Sequence, residues 1–174
     1  MFNIAELIAL CKKEPGKYSF ASSGPGTSLH LSGELFKTMA GVDIIHVPYK
    51  GAGPVYSDLM AGIVNMMFAN MPSMLPHVRA KKLKGLGVTS AERSKAAPEI
   101  PAIAETVPGY VATSWYGVGA PAGTPEPILA RLEAAIAEAL KSPDIQKRWA
   151  NDLGLDMPPP GRKGFDEFVA QDRK

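Results

Sequence analysis

One cysteine in 174 residues, Cys11, excludes an internal disulfide and any all-cysteine metal site, and it is compatible with either a reducing or an oxidising compartment. A charge excess is missing as well. Nineteen basic side chains against 17 acidic ones give a formal net charge of +2, and the basic residues are spread along the chain rather than gathered into a stripe, so nucleic acid is not an expected partner. No hydrophobic run escapes interruption by Gly, Pro or a charge for more than about ten residues, short of the ~18–20 that a membrane-spanning helix requires. Met1 to Glu6 has neither the basic flank nor the apolar core of an export signal.

Catalytic signatures are equally scarce. There is no Gly-x-Ser-x-Gly elbow, and Ser28 and His30, two positions apart, diverge on a helix with no acid placed to orient an imidazole. His30, His46 and His77 lack the local spacing of metal ligands, so neither a metal nor a cofactor is expected, and the chain does not read as an enzyme.

What the sequence does have is glycine and proline, 17 and 16 of them, which point to many short elements joined by tight turns. Ile4, Leu7, Ile8 and Cys11 repeat at helical spacing and stop at Pro15-Gly16. Tyr18 to Ala21 reads as a short strand that feeds Ser22-Ser23-Gly24-Pro25-Gly26-Thr27-Ser28. A helix with Leu31, Leu35, Phe36 and Met39 on its apolar face follows, closed by Gly41.

Val42 to Tyr49, apolar and β-branched, has the pattern of a strand covered on both faces. Pro54 then opens a helix that faces inward through Val55, Leu59 and Met60. The alternation continues with a strand over 63–69, a turn at 70–73, a helix through Met74, Leu75 and Val78, and a strand over 83–89, whereas 94–101 is irregular. Strands and helices alternating at this spacing predict βαβ units and a mainly parallel sheet. Beyond an extended stretch over 111–120, Thr124-Pro125 and Ser142-Pro143 each cap a helix. The first runs to about Leu140 with Ile128, Leu132, Ile136 and Leu140 on one face, and the second buries Ile145, Trp149 and Leu153 before Gly154. Phe165, Phe168 and Val169 suggest one more helix. Both chain ends look cut, the first because it opens directly in a helix and the last because that final helix is incomplete.

The segment with chemistry in it is the serine-glycine turn. A strand that ends in such a turn and feeds a helix brings free N–H groups and the positive end of a helix dipole to one spot. Gly24 and Gly26 let the backbone approach a ligand, and the hydroxyls of Ser22, Ser23, Thr27 and Ser28 can donate to an anion. A tight turn with a hydroxyl N-cap is the alternative reading of the same residues. Nucleotides fit poorly, because no lysine follows Gly26 and the third glycine of a dinucleotide fingerprint is absent. A carboxylate fits, since it needs only amides and hydroxyls. Tyr49 and Lys50 end a strand, the edge where open α/β sheets place ligands, although a lone lysine there also suits a solvated charge.

The runs Tyr18–Lys37, Val42–Gly51, Phe68–Ser73, Gly87–Ser94, Ser114–Gly117 and Ala120–Pro125, taken in order, resemble the Bug family, the TctC-like binding components of tripartite tricarboxylate transporters. The resemblance covers essentially the whole chain. It implies an α/β, type II periplasmic-binding-protein-like fold with a doubly wound, mainly parallel sheet, in which residues 1–112 form the second lobe. The segment 113–121 then crosses the hinge, and 113–174 as a whole supplies that crossing and the C-terminal helices of the first lobe.

By the same resemblance, family members begin upstream with a signal peptide and a first-lobe segment, work in the periplasm, and hand a small carboxylate to membrane transporter subunits. Ser22, Ser23, Gly26, Thr27 and Ser28 match the carboxylate-holding motif, and His30 matches it too, either as a ligand contact or as a support for the loop. Many relatives have Asp where Asn65 and Ala69 stand here, a difference that favours a plain organic acid over an amino acid. A truncated cytosolic carboxylate sensor without a transport role is the alternative. With no first lobe to cover them, the C-terminal helices are expected to drive dimerisation.

Overall fold

The structure, a computed structural model, describes residues 3–155, 157 and 161–172. It divides into two compact units, Met1–Ser114 and Trp115–Lys174.

The first unit is built on a parallel sheet of order β2-β1-β3. Helix α1 (Ile4–Lys13) opens with a reciprocal cap: the Asn3 side chain accepts from the Glu6 N–H, and the Glu6 carboxylate accepts from the Asn3 N–H, each at 2.9 Å. Its Ile4, Leu7 and Cys11 enter the core with Phe36, Val42, Ile44 and Tyr110. Strand β1 (Ser19–Ser22) lies at the centre, with Phe20 and Ala21 fully buried.

Helix α2 (Ser28–Ala40) returns across β1 and closes at Gly41, whose left-handed φ of 62° suits glycine. Its buried face is Leu29, Gly33, Phe36 and Ala40: of the expected stripe Phe36 is buried and Leu35 packs on the core, while Leu31 and Met39 are exposed, Leu31 at 57%. The reason is Gly33. A Cβ there would lie 2.2 Å from Cε2 of Phe20, so the helix turns its glycine, not its larger residues, toward the ring.

β2 (Ile45–Pro48) pairs with β1 in the register Ser19 to Ile45, and helix α3 (Ala52–Met60) follows it. β3 (Met66–Met67) pairs on the other side of β1, opposite Phe20 and Ala21, and leads into helix α4 (Met71–Arg79). Five sequence expectations are corrected here. β2 is an edge strand with Ile45 51% exposed, not one covered on both faces, because β1 is its single neighbour among the described residues. The strand expected over 63–69 shortens to two residues. The one expected over 83–89 is absent as a strand, since Val88 alone makes a parallel bridge to Ala102. Pro54 is the third residue of α3 rather than the first, and Met60 is exposed rather than inward-facing.

The irregular stretch that follows is pinned by Arg93, which holds Glu105 through two bonds of 2.7 Å. That guanidinium, with the Ala102 N–H, brings the Glu105 carboxyl down to about 2.

In the second unit, α5 (Glu126–Leu140) begins one residue later than expected, because the Thr124 hydroxyl donates to the Pro121 carbonyl instead of capping the helix. Nor does the Ser142 side chain cap α6 (Pro143–Lys147), which passes into a π-helical turn, Arg148–Leu153, closed by left-handed Gly154. Ile145, Trp149 and Leu153 are half-buried. Helix α7 (Gly161–Asp172) is tied to α5 by Arg162, which binds both Glu126 and Glu133. Trp115 meets Phe165 and Phe168 edge-on and donates its indole N–H to Asp172 at 2.9 Å.

Gly33→Ala is expected to cost about 1–3 kcal/mol by overpacking against Phe20, read as a lower urea midpoint, with partial recovery when Phe20→Leu is added. An unchanged midpoint would mean that α2 does not rest on that ring.

Candidate functional site

β1 delivers the chain to a loop whose geometry is set from beneath. Ser22 is fully buried, and its hydroxyl accepts from the Gly24 N–H at 3.1 Å while lying 2.7 Å from Nε2 of His46. Gly24, at φ +137°, packs against the Tyr49 carbonyl, and the Tyr49 and Gly51 N–H groups donate to the carbonyls of Ser22 and Ser23. Gly26, at φ +77°, faces open space, and its N–H donates to Nδ1 of His30 at 3.1 Å.

Thr27 occupies the N-cap position of α2 without capping it, because its hydroxyl donates to the Gly24 carbonyl at 2.7 Å. The N–H groups of Ser28, Leu29 and His30 consequently find no acceptor among the described residues. Of the two readings of this turn, the hydroxyl-capped one is not what the structure shows. Three amides at the positive end of a helix dipole remain directed outward from the helix start.

Below the loop, His30 and His46 stack with centroids 4.1 Å apart, and Phe20 stacks on His46 at 4.9 Å. Burial pushes the His46 imidazole below its usual range, and the neighbouring His30 adds to the effect. The charged groups near the pair, Glu34 and Lys37, act on it in opposite directions. His46 is therefore a neutral strut between the sheet and the loop.

The Ser28 end of α2 borders a recess of roughly 20 Å³, room for about one water molecule. Ser28, Leu29 and Ser32 form one side of it, and Phe68, Ala69 and Asn70 another. Thr89 and the segment 112–114 complete the lining. Asn70 is the N-cap residue of α4 and makes no side-chain cap, so a second helix start meets the first at this recess. Its side-chain oxygen accepts from the Ser114 hydroxyl at 2.9 Å. The hydroxyls of Ser28, Thr89 and Thr113 make no bond to the described residues. Among the described residues, no Lys, Arg, His, Asp or Glu lines the recess.

Of the residues singled out from sequence, Ser28 and Ala69 come together here. Ser23, Gly26 and Thr27 sit on the loop above, whereas Ser22 and His30 lie under it with their polar atoms engaged. Tyr49 donates its hydroxyl to Asp58 at 2.7 Å, which raises the phenol above its usual range, and Lys50 is exposed beyond the strand end. Sequence reasoning missed Asn70, Thr89, Thr113 and Ser114. The available signal was a hydroxyl or amide immediately after an apolar run, as in Val88-Thr89 and Phe68-Ala69-Asn70.

The model of the tripartite tricarboxylate transporter family receptor matches residues 1–174. A protein from the tcbD–tcbE intergenic region of Pseudomonas sp. strain P51 is 44% identical over 145 residues, 82% of this chain and 43% of that protein. Among solved structures, Rpa4515 of R. palustris with adipate is 36% identical with a TM-score of 0.90, over 99% of this chain and 57% of that one. MatC from Rhodopseudomonas palustris with bound malate is 30% identical with a TM-score of 0.87, over 98% of this chain and 58% of that one. The chain thus spans under half the length of its curated relative and under two thirds of these structures.

A histidine that is harder to protonate folded than unfolded withdraws stability as pH falls below the unfolded value near 6.5. The urea midpoint is accordingly expected to decline between pH 7 and pH 5, ahead of carboxylate titration, and His46→Gln is expected to flatten that decline. Parallel declines in both proteins would contradict the role given to His46.

Proposed function

Because the chain belongs to the tripartite tricarboxylate transporter receptor family, we propose that it forms the carboxylate-gripping portion of a solute receptor that works in the periplasm and passes its cargo to membrane transporter subunits. The observation that carries this reading is the recess itself. Two helix starts, the first-turn residues Ser28 and Leu29 with their unclaimed amides, and the Ser28, Thr89 and Thr113 hydroxyls meet there, with no ionisable side chain among the described residues of the lining. Each helix start contributes a partial charge of about +0.5, enough to favour a small anion. The adipate and malate carried by the two related structures are small dicarboxylates, the class such a wall suits.

In this reading residues 1–112 are the second lobe, 113–121 cross the hinge, and the helices α5 to α7 belong to the first lobe. Ser28 and Ser23 hold one carboxylate, Gly26 and Thr27, whose own donors are engaged within the loop, shape its approach, His30 and Ser22 fix the loop, and Tyr49 and Lys50 frame the rim. Receptor is favoured over hydrolase because the one close serine–histidine pair, Ser22 with His46, is fully buried at its serine. The other imidazole of the stack already accepts a loop amide.

Ala69 lines the recess where many relatives have Asp, so an ammonium group would meet no carboxylate there. Dicarboxylates are therefore the proposed cargo in preference to amino acids. Calorimetry on the complete receptor is expected to show adipate or a shorter dicarboxylate binding at least about tenfold more tightly than its 2-amino analogue, and Ser28→Ala weakening it by about tenfold or more, as for a hydrogen bond to a charged group. Preference for the amino acid, or indifference to Ser28→Ala, would overturn the assignment.

On α5, Ile128, Leu132 and Ile136 are 41–51% exposed. Burial of each such side chain contributes roughly 1.5–3 kcal/mol, so the isolated chain is expected to dimerise through this face. Light scattering should show a dimer that Leu132→Glu dissociates, and a monomer at high concentration would contradict this.

A further inference from the structure

The even spread of basic residues breaks down at one place. No acidic residue occurs between Asp58 and Glu92, yet Arg79, Lys81, Lys82 and Lys84 fall within six positions, all of them exposed. Lys81 has φ 56°, the one positive-φ residue other than glycine among the described residues. It sits in the turn that ends α4, where its N–H donates to the Val78 carbonyl at 2.9 Å and that of Lys82 to the His77 carbonyl at 3.0 Å.

This turn places Lys81, Lys82 and Lys84 around an open depression of about 600 Å³. Val78, Leu83 and Ile100 supply its apolar portion, and Glu99 is the single acid among the described residues of its lining. The negative end of the α4 dipole accounts for cations in the last turn, where His77 and Arg79 already stand. Lys81 and Lys82 lie side by side, exposed, at the end of that turn, where their like charges complement an anionic partner.

We propose that this depression docks an acidic protein segment, in which one apolar side chain enters against Val78, Leu83 and Ile100 while flanking carboxylates meet Lys81 and Lys82. A concave apolar floor within a charged rim suits a single anchoring side chain. A planar anionic bilayer has nothing to insert into it. The depression lies at the opposite end of α4 from Asn70 and the recess, about 14 Å away along a nine-residue helix. Docking there stands whether or not the recess holds a carboxylate.

Fluorescence anisotropy of the chain with a labelled Glu-Glu-Leu-Glu-Glu peptide tests this directly. The expected result is saturable binding that weakens with added salt and falls by about tenfold in K81E/K82E, a rim charge reversal. Replacing the peptide leucine by alanine should cost about threefold or more. Circular dichroism melts establish that the double variant is folded, and K82E alone, outside the left-handed position, should still cost about threefold. Absence of saturable binding, equal binding by the variants, or indifference to the leucine would overturn the proposal. So would binding of phosphatidylglycerol vesicles, lost in K81E/K82E, where the peptide does not bind.

Discussion

Gly33 allows α2 to lie directly on the ring of Phe20, and the arrangement at the edge of the sheet follows from that contact. Phe20 is the buried centre of β1, and its other ring neighbours are the stacked imidazoles of His46 and His30 and the edge-on ring of Phe68. His46 in turn touches the buried Ser22 hydroxyl, and that hydroxyl accepts from Gly24 at the start of the loop. His30 accepts from Gly26 at the loop's far end. A continuous line of contacts therefore runs from the core to the loop backbone. Because interiors are close-packed, displacement at one end of such a line is felt at the other.

The described lining of the recess carries no charge, whereas the guest proposed for it does. A buried lysine or arginine would require desolvating a full charge, whose cost attraction to the guest need not offset. Main-chain amides at helix starts have no such charge to desolvate, and in α2 they are held in place by the helix itself. The Thr27 hydroxyl, which as an N-cap would take up one of these donors, is turned back to the Gly24 carbonyl. The cluster is thus left open by a specific diversion of its natural cap.

How much of this was legible in the sequence varied with the range of the interactions involved. Helix α1 was readable from its apolar spacing and its Pro15-Gly16 stop, which are local, whereas its reciprocal Asn3 cap was not noticed. The strand–turn–helix unit around Gly24 was readable for the same reason, as was the closure of α2 at Gly41. The buried face of α2 was not, because it depends on a ring in another element fitting over a residue with no side chain. Edge position was hidden too: Ile45 has the composition of a core strand, and sheet order alone decides that it is exposed. Asn70, Thr89 and Thr113 escaped notice because no local pattern joins them, and only the packing of α2 and α4 around the sheet brings them to one recess.

The central claim, that the first-turn amides of α2 hold the anion, is tested most directly by following backbone amide resonances of the complete receptor during a titration with adipate. The account predicts that Ser28, Leu29 and His30 shift together along one saturating curve, with Asn70 and Thr113 following. Saturation of the receptor by adipate with those three amides unmoved would contradict it.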